Sequence, residues 1–322
     1  MNKTTKPEQL ELAREHKLRL LNLIGTIPNE ESKIRKIRAH QGWWRAAVMG
    51  LPEGEYFDKK INTWKRVCNR TLEESTCENI NFISPEAKQA AVLTIAEREK
   101  SGRGMIEKNR LNFNLLSSQP LCFNFFGDLM LDKDFGLRVL QTWWPELTEL
   151  KRVLFEFAPE ERYTKDNSAY DVAFEVCIGE RTGLIDLECK YTDTFSSTEY
   201  TKKEYKDIFN KSTAFKAGYE EFISKDYNQL FRNQLIAEAL IQNAKYDFVE
   251  TGLFCYHDDN LAIATAGQFK DMLNDSDSFR IITYNQFIEN VQRLDLNWKQ
   301  REWTMMLWAR YCGFELSAKA LS

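Results

Sequence analysis

Histidine is scarce in this chain: three in 322 residues, at positions 16, 40 and 257, too far apart to make an HNH-type site. The seven cysteines, at 68, 77, 122, 177, 189, 255 and 312, are scattered, odd in number and never spaced as C-x-x-C. This argues against a zinc finger, a zinc ribbon or a cysteine-ligated iron–sulfur cluster, and for free thiols in a reducing compartment. No G-x-x-x-x-G-K-[ST] run exists to cradle a nucleoside triphosphate, which argues against ATP hydrolysis. No window approaches the roughly 18 uninterrupted apolar residues of a membrane span. The polar start MNKTTKPEQLELAREHK has no apolar stretch of signal-peptide length. A cytoplasmic protein with no membrane partner is the expectation. Internal repeats and low-complexity linkers are also missing.

What is present is material for a large core. Apolar residues make up 43% of the chain and aromatics 13%, too many for a disordered segment. The net charge of −4 neither advertises nor excludes a nucleic-acid partner, because a global sum hides local patches.

The first 110 residues read as helical. Ile34, Ile37, Gln41, Trp44 and Val48 follow a three-to-four spacing. LPEGEYF then suits a turn, and a helix is expected from Pro85 to about Arg98. LNFNLLSSQPLCFNFFGDL, aromatic and punctuated by Ser117, Ser118, Pro120 and Gly127, reads as a packed connector. A helix from about Asp134 to Trp144 leads into three strand-like runs, KRVLFEFAP, SAYDVAFEVCI and TGLIDLECKYT. The segment 200–219 reads as helix or loop. The helix YNQLFRNQLIAEALIQN, the strand FVETGLFCYH, the helix LAIATAGQFKDMLN, the strand FRIITY and two closing helices complete the chain. From about Phe135 to Tyr284 the order αβββαβαβ predicts an α/β fold: one mixed sheet in a three-layer sandwich. Residues 1–130 are expected to form a mainly helical N-terminal region, and 131–322 the α/β domain.

Side chains on a strand alternate between two faces. Asp171, Ala173, Glu175 and Cys177 share one face of their strand, opposite Val172, Phe174 and Val176. Asp186, Glu188 and Lys190 share one face of the next, opposite Ile185, Leu187 and Cys189. If the strands are neighbours, Asp171 and Glu188 converge and Lys190 lies one pleat away. Clustered carboxylates favour a cation, and Mg²⁺ (with Mn²⁺ as a substitute) prefers a few carboxylates plus carbonyls and waters. Such an ion neutralises a phosphodiester and activates water. A nearby lysine holds the attacking water, or helps deprotonate it if its pKa is lowered.

Asp171, seventeen positions before Glu188-Cys189-Lys190 on consecutive strands, resembles the PD-(D/E)XK nuclease superfamily, to which restriction enzymes belong. The resemblance implies a restriction-endonuclease-like αβββαβ core over roughly 135–257. It also implies that Asp171 and Glu188 bind the metal, that the Cys189 carbonyl is a further ligand, and that Lys190 orients the water. Tyr170 stands where the superfamily's name expects Pro. RAHQGWWRAAVMGLPEG, LLSSQPLCFNFFGDL, VLFEFAPE and YNQLFRNQLIAEAL resemble a narrower bacterial family of restriction-endonuclease-like proteins. That implies a nuclease acting on DNA, in restriction or phage defence. The alternatives are a non-cutting nucleic-acid-binding module and a subunit active only in a complex. Whether it works alone, as a homodimer or in a larger defence complex stays open.

Other residues are weighed against plainer roles. Gln229 and Arg232, on the helix after the motif, are candidates to contact substrate. Asn233, Glu156, Glu175 and Asp186 are candidates for a supporting place around the metal. The basic residues of 33–38 with Arg45, and Lys202, Lys203 and Lys206, are expected to be solvated helix faces rather than a phosphate track. Trp43 and Trp44, at helical spacing, are expected in the core rather than stacked on bases.

Overall fold

The computed structural model describes residues 22, 24–58, 61–74, 78–104, 106–195 and 200–321. The polar amino-terminal stretch read above, with His16 and Cys77, lies outside the described residues. Helix α1 (Ser32–Trp43) runs into a π-helical turn, Trp44–Val48. Where a turn was expected at LPEGEYF, the chain forms an antiparallel hairpin of β1 (Gly54–Asp58) and β2 (Thr63–Val67). Helix α2 (Pro85–Ser101) has clear end signals: the Ser84 hydroxyl accepts from the Ala87 N–H, Pro85 occupies the first turn, and Gly102 closes it at φ 65°. A short α3 (Lys108–Phe113) follows.

The expected connector is instead a helix, α4 (Ser118–Leu131), capped by Ser117 and buried at every residue from Pro120 to Leu129. A helix surrounded by protein needs no polar stripe, so the periodic signal that betrays a surface helix is missing. The domain line expected at residue 130 falls in the last turn of α4. Ile37 and Leu111 before it share one hydrophobic cluster with Val172, Phe254 and Tyr311 after it.

After α5 (Lys133–Leu140) come β3 (Glu149–Phe157), β4 (Tyr170–Ile178) and β5 (Arg181–Lys190), an antiparallel meander. Helices α6 (Lys203–Lys211), α7 (Tyr219–Phe222) and α8 (Asn228–Gln242) lead to β6 (Phe248–Cys255), parallel to β5. Helix α9 (Asn260–Asp271) leads to β7 (Phe279–Thr283), parallel to β6. Helices α10 (Tyr284–Gln292), α11 (Trp298–Tyr311) and α12 (Phe314–Leu321) close the chain. The five-stranded sheet has the order β3-β4-β5-β6-β7.

Its two faces carry different sequences because each meets a different layer. Phe174, Val176, Ile185 and Leu187 pack under α4, where Phe126 meets Phe174 at 5.4 Å and Phe123 stacks on Phe155 at 4.2 Å. Ala173, Leu184 and Val249 face α8 through Ile236, Ala237 and Leu240. The result is the predicted α/β three-layer sandwich with a mixed sheet.

Candidate functional site: an acidic cleft at the strand ends

Because β3, β4 and β5 alternate in direction, β3 and β5 end where β4 begins. The pair Val172–Leu187 makes the next rung Asp171 beside Glu188. Phe155–Val172 and Phe157–Tyr170 bracket Glu156 across from Asp171 on the other side. Three carboxylates from three adjacent strands therefore meet at one edge. Glu156 sits there in the left-handed backbone region at φ 49°, rare for a residue with a side chain. The first turns of α4 and α8 close over this edge. Their residues Ser118, Gln119, Gln229, Arg232 and Asn233 line a cleft of about 260 Å³ with Glu156, Asp171 and Glu188. Ser118, Gln119 and Gln229 belong to the first turns of these helices, and helix N-termini favour negative charge beside them.

Glu188 and Lys190 are almost wholly buried, 3% and 6% exposed, and form an ion pair at 2.9 Å. Gln229 bridges them, accepting from Lys190 Nζ at 2.9 Å and donating to Glu188 Oε1 at 2.5 Å. Asn233 donates to the other Glu188 oxygen at 3.0 Å. Asp171 accepts the Cys189 N–H at 2.7 Å, which locks the two motif strands together. Burial, reinforced by the charges of Glu188 and Glu156, pushes the Asp171 carboxyl well above its ordinary range. Glu156 is pushed to about 7 by burial and, less strongly, by Glu188, against the hydrogen bond it accepts from Gln119 at 2.8 Å.

Burial works against the Lys190 charge, yet Glu188 and Asp171 together hold its pKa above the ordinary lysine value. The lowered pKa that would make Lys190 a base is not found. A charged ammonium is a donor, suited to orient a water or a phosphate oxygen.

The other expected residues divide. Arg232 reaches the cleft, donating to Ser168 Oγ at 2.9 Å with its guanidinium 4.7 Å from the Tyr200 ring centre. Gln229 is held between two motif residues, so it positions them. Asp186 is fully buried, and neither carboxyl oxygen has a hydrogen-bond partner among the described residues. Burial, then Glu188 and Asp171, raises its pKa strongly. Glu175 does not join the acids: it pairs with Arg152 at 2.6 Å and accepts from the Tyr246 hydroxyl. The Cys189 side chain points to the opposite face, its sulfur 3.6 Å from that of Cys122. All six described cysteines are free. Tyr170, where Pro was expected, is fully buried and donates to the Asn233 carbonyl at 3.1 Å, tying β4 to α8.

Of the basic amino-terminal run, Lys36 is exposed and Arg35 half-exposed, as expected of a solvated face, whereas Arg38 and Arg45 are buried. Lys33 pairs with Asp259, Arg38 with Glu30, and Arg45 donates to the Cys68 carbonyl. Trp44 is in the core. Gln119 and Arg110, which also line the cleft, escaped the sequence reading. The one signal for Gln119 was Ser117, a helix cap two residues earlier.

Two hard-oxygen carboxylates that repel each other suit a small divalent cation, and a third acid stands alongside. Among the described residues no group of three or more His, Cys, Asp or Glu side chains is arranged as a ligand set, so such an ion would draw on main-chain carbonyls and water as well.

A mixed sheet between helical layers, with acids and a lysine gathered at strand ends, defines a restriction-endonuclease-like α/β protein. The chain belongs to the PD-(D/E)XK nuclease superfamily, whose family model matches residues 28–313. Neither a curated protein nor a solved structure matches it. No helix of the described residues is long and apolar enough to cross a membrane.

Proposed function

We propose that this nuclease hydrolyses phosphodiester bonds of DNA with the help of Mg²⁺, for which Mn²⁺ substitutes. The observation that carries the reading is the convergence of Asp171, Glu188 and Lys190 beside a cleft capped by two helix N-termini. Asp171, Glu188 and the Cys189 carbonyl would hold the ion. When bound, it supplies charge neutralisation on the phosphate and makes water a better nucleophile at neutral pH. Lys190, kept charged by its neighbours, donates to the attacking water and fixes its direction. Gln229 holds Lys190 and Glu188 at a constant separation, and Arg232 meets the DNA phosphates. A place in restriction or phage defence is the biological setting we infer from the superfamily.

One observation favours a second reading, a subunit that cuts only with a partner. Both Glu188 oxygens are already engaged, by Gln229 and Lys190 on one side and Asn233 on the other. A homodimer contact or a larger complex would then have to open the site. Incubating the full chain with plasmid, linear duplex, single-stranded DNA and RNA, in Mg²⁺, Mn²⁺ or EDTA, tests both. Cutting of DNA in either metal and none in EDTA is expected. A folded but inert protein would defeat the first reading and leave the second to be tried with partner proteins.

A further inference from the structure

The β1–β2 hairpin carries an exposed aromatic pair that no part of the site uses. Phe57 and Trp64 are cross-strand partners on one face, their rings 5.5 Å apart at 62°, and they are 40% and 60% exposed. Ile61 beside them in sequence is 57% exposed. Aromatics on a hairpin ordinarily turn inward to a core; these point to solvent, and such a patch marks a binding surface. The contrast with Trp44 is direct, because that ring is buried at 4% exposure while Trp64 stands free.

We propose that Phe57 and Trp64 form a platform on which unpaired bases of the substrate stack. This rests on the nucleic-acid reading above and extends it to a contact outside the cleft. Three observations favour nucleic acid over another occupant. First, base stacking on aromatic side chains is sequence-tolerant, as substrate holding away from the chemistry must be. Second, the acids of the hairpin are spoken for: Asp58 pairs with Lys65 at 2.7 Å and Glu55 with Arg66 at 3.0 Å. The sequence from Gly54 to Val67 holds four basic residues to these two acids, in a chain whose net charge is −4.

Third, the hairpin is rooted on the cleft's own rim. The Arg70 carbonyl accepts from Gly54 at 2.8 Å, Thr71 donates to the Phe113 carbonyl at 3.1 Å, and Leu115 donates to that of Asn69 at 3.0 Å. These bonds fasten it to both ends of the turn after α3, and Arg110 of α3 lines the acidic cleft. A side chain at Gly54 would come within 1.9 Å of the Thr71 carbonyl oxygen, so that root is close-packed. Five residues of strand span about 17 Å. In this proposal a strand leaving the cleft past Arg110 runs along the hairpin rooted beside it to the aromatic pair.

The test is binding of a fluorescein-labelled 20-nucleotide single strand to the full chain in EDTA, read by anisotropy. Wild type is compared with Trp64→Ala, Phe57→Ala and Trp64→Phe, each checked by thermal melting and sedimentation velocity. Each alanine variant is expected to weaken binding about tenfold, the size of one lost stack, and Trp64→Phe to stay within about threefold of wild type. Unchanged affinity in both alanine variants would overturn the platform. So would a wild type that self-associates while Trp64→Ala does not, since the pair would then join copies of the chain. Wild type that binds but never cuts in Mg²⁺ or Mn²⁺ would refute the nuclease reading and leave the platform to be judged by its variants.

Discussion

Two buried polar clusters lie one residue apart in this sequence, at Lys190 and Tyr191, and they are built on opposite rules. Around Tyr191, every polar group is answered. Gln41 donates to the Tyr191 hydroxyl at 2.8 Å and to the Arg310 carbonyl at 2.9 Å. Arg310, 1% exposed and without a carboxylate partner among the described residues, donates to Gln41 and twice to Asn81, whose own amide reaches Leu111 and Asn114. This cluster ties α1 and the segment before α2 to α11, and it contains no acid. Around Lys190, by contrast, Glu188 alone pairs with the ammonium, Asp171 is pushed up by burial and then by Glu188 and Glu156, and Asp186 has no hydrogen-bond partner among the described residues. A buried polar network that is fully satisfied holds a fold in place, whereas a strained one is kept for chemistry. The difference separates polarity that holds the fold from polarity that the proposed chemistry would use.

The comparison can be broken most forcefully at the strained cluster. Lys190→Ala should cut the rate of DNA cleavage by roughly 10²–10⁴-fold at matched folded fraction, and it should also lower the melting temperature because buried Glu188 loses its cation. Initial rates and melting curves on the same samples check this. In the satisfied cluster the effect falls on stability alone. Arg310→Met leaves the Asn81 and Gln41 oxygens short of a donor, at about 1–3 kcal/mol for each acceptor left unpaired, measured by urea unfolding.

A third effect sharpens the same contrast through pH. His40 meets Ser317 Oγ at 2.9 Å and the Ala309 carbonyl at 2.8 Å, and burial lowers its pKa from 6.5 to about 4. The unfolded chain takes up the proton first, so the stability His40 provides is whole above pH 6.5. It is lost as pH falls towards 4, up to about 3 kcal/mol. Unfolding free energies at pH 7.5, 6 and 5 should show that slope, and His40→Gln should flatten it. Asp186 has the opposite sign. Its folded pKa is raised, so its contribution is present below the ordinary Asp value and lost as pH rises. Asp186→Asn should therefore raise the melting temperature at pH 8 by about one or two degrees and change it less at pH 4.5.

Much of this was legible in the sequence because β4 and β5 obey a period of two. Apolar residues on one face and acids on the other fixed which side chains converge, and Asp171, Glu188 and Lys190 do meet at one sheet edge. Periodicity failed where the environment has no sides. Helix α4 is buried from Pro120 to Leu129, Asn124 and Asp128 included, and read as a connector, and with it Gln119 was missed. The hairpin was missed because its exposed aromatics lack the polar-out pattern of a surface strand. Glu175 shows the remaining weakness: sharing a face with Asp171 was correct, but two pleats along the strand Arg152 and Tyr246 were waiting for it. Cross-strand partners of that kind lie far away in sequence.

The central claim, that the strained acids are a cleavage site, is tested most directly by the single-turnover rate of DNA cleavage in Mg²⁺ for wild type and Asp171→Ala, at protein concentrations matched for folded fraction. The account predicts metal-dependent cutting by wild type and none above background in the variant, whose melting temperature sets the lost Cys189 N–H bond against the removal of a repelling carboxyl. Cutting that persists in Asp171→Ala would contradict it and place the chemistry elsewhere in the molecule.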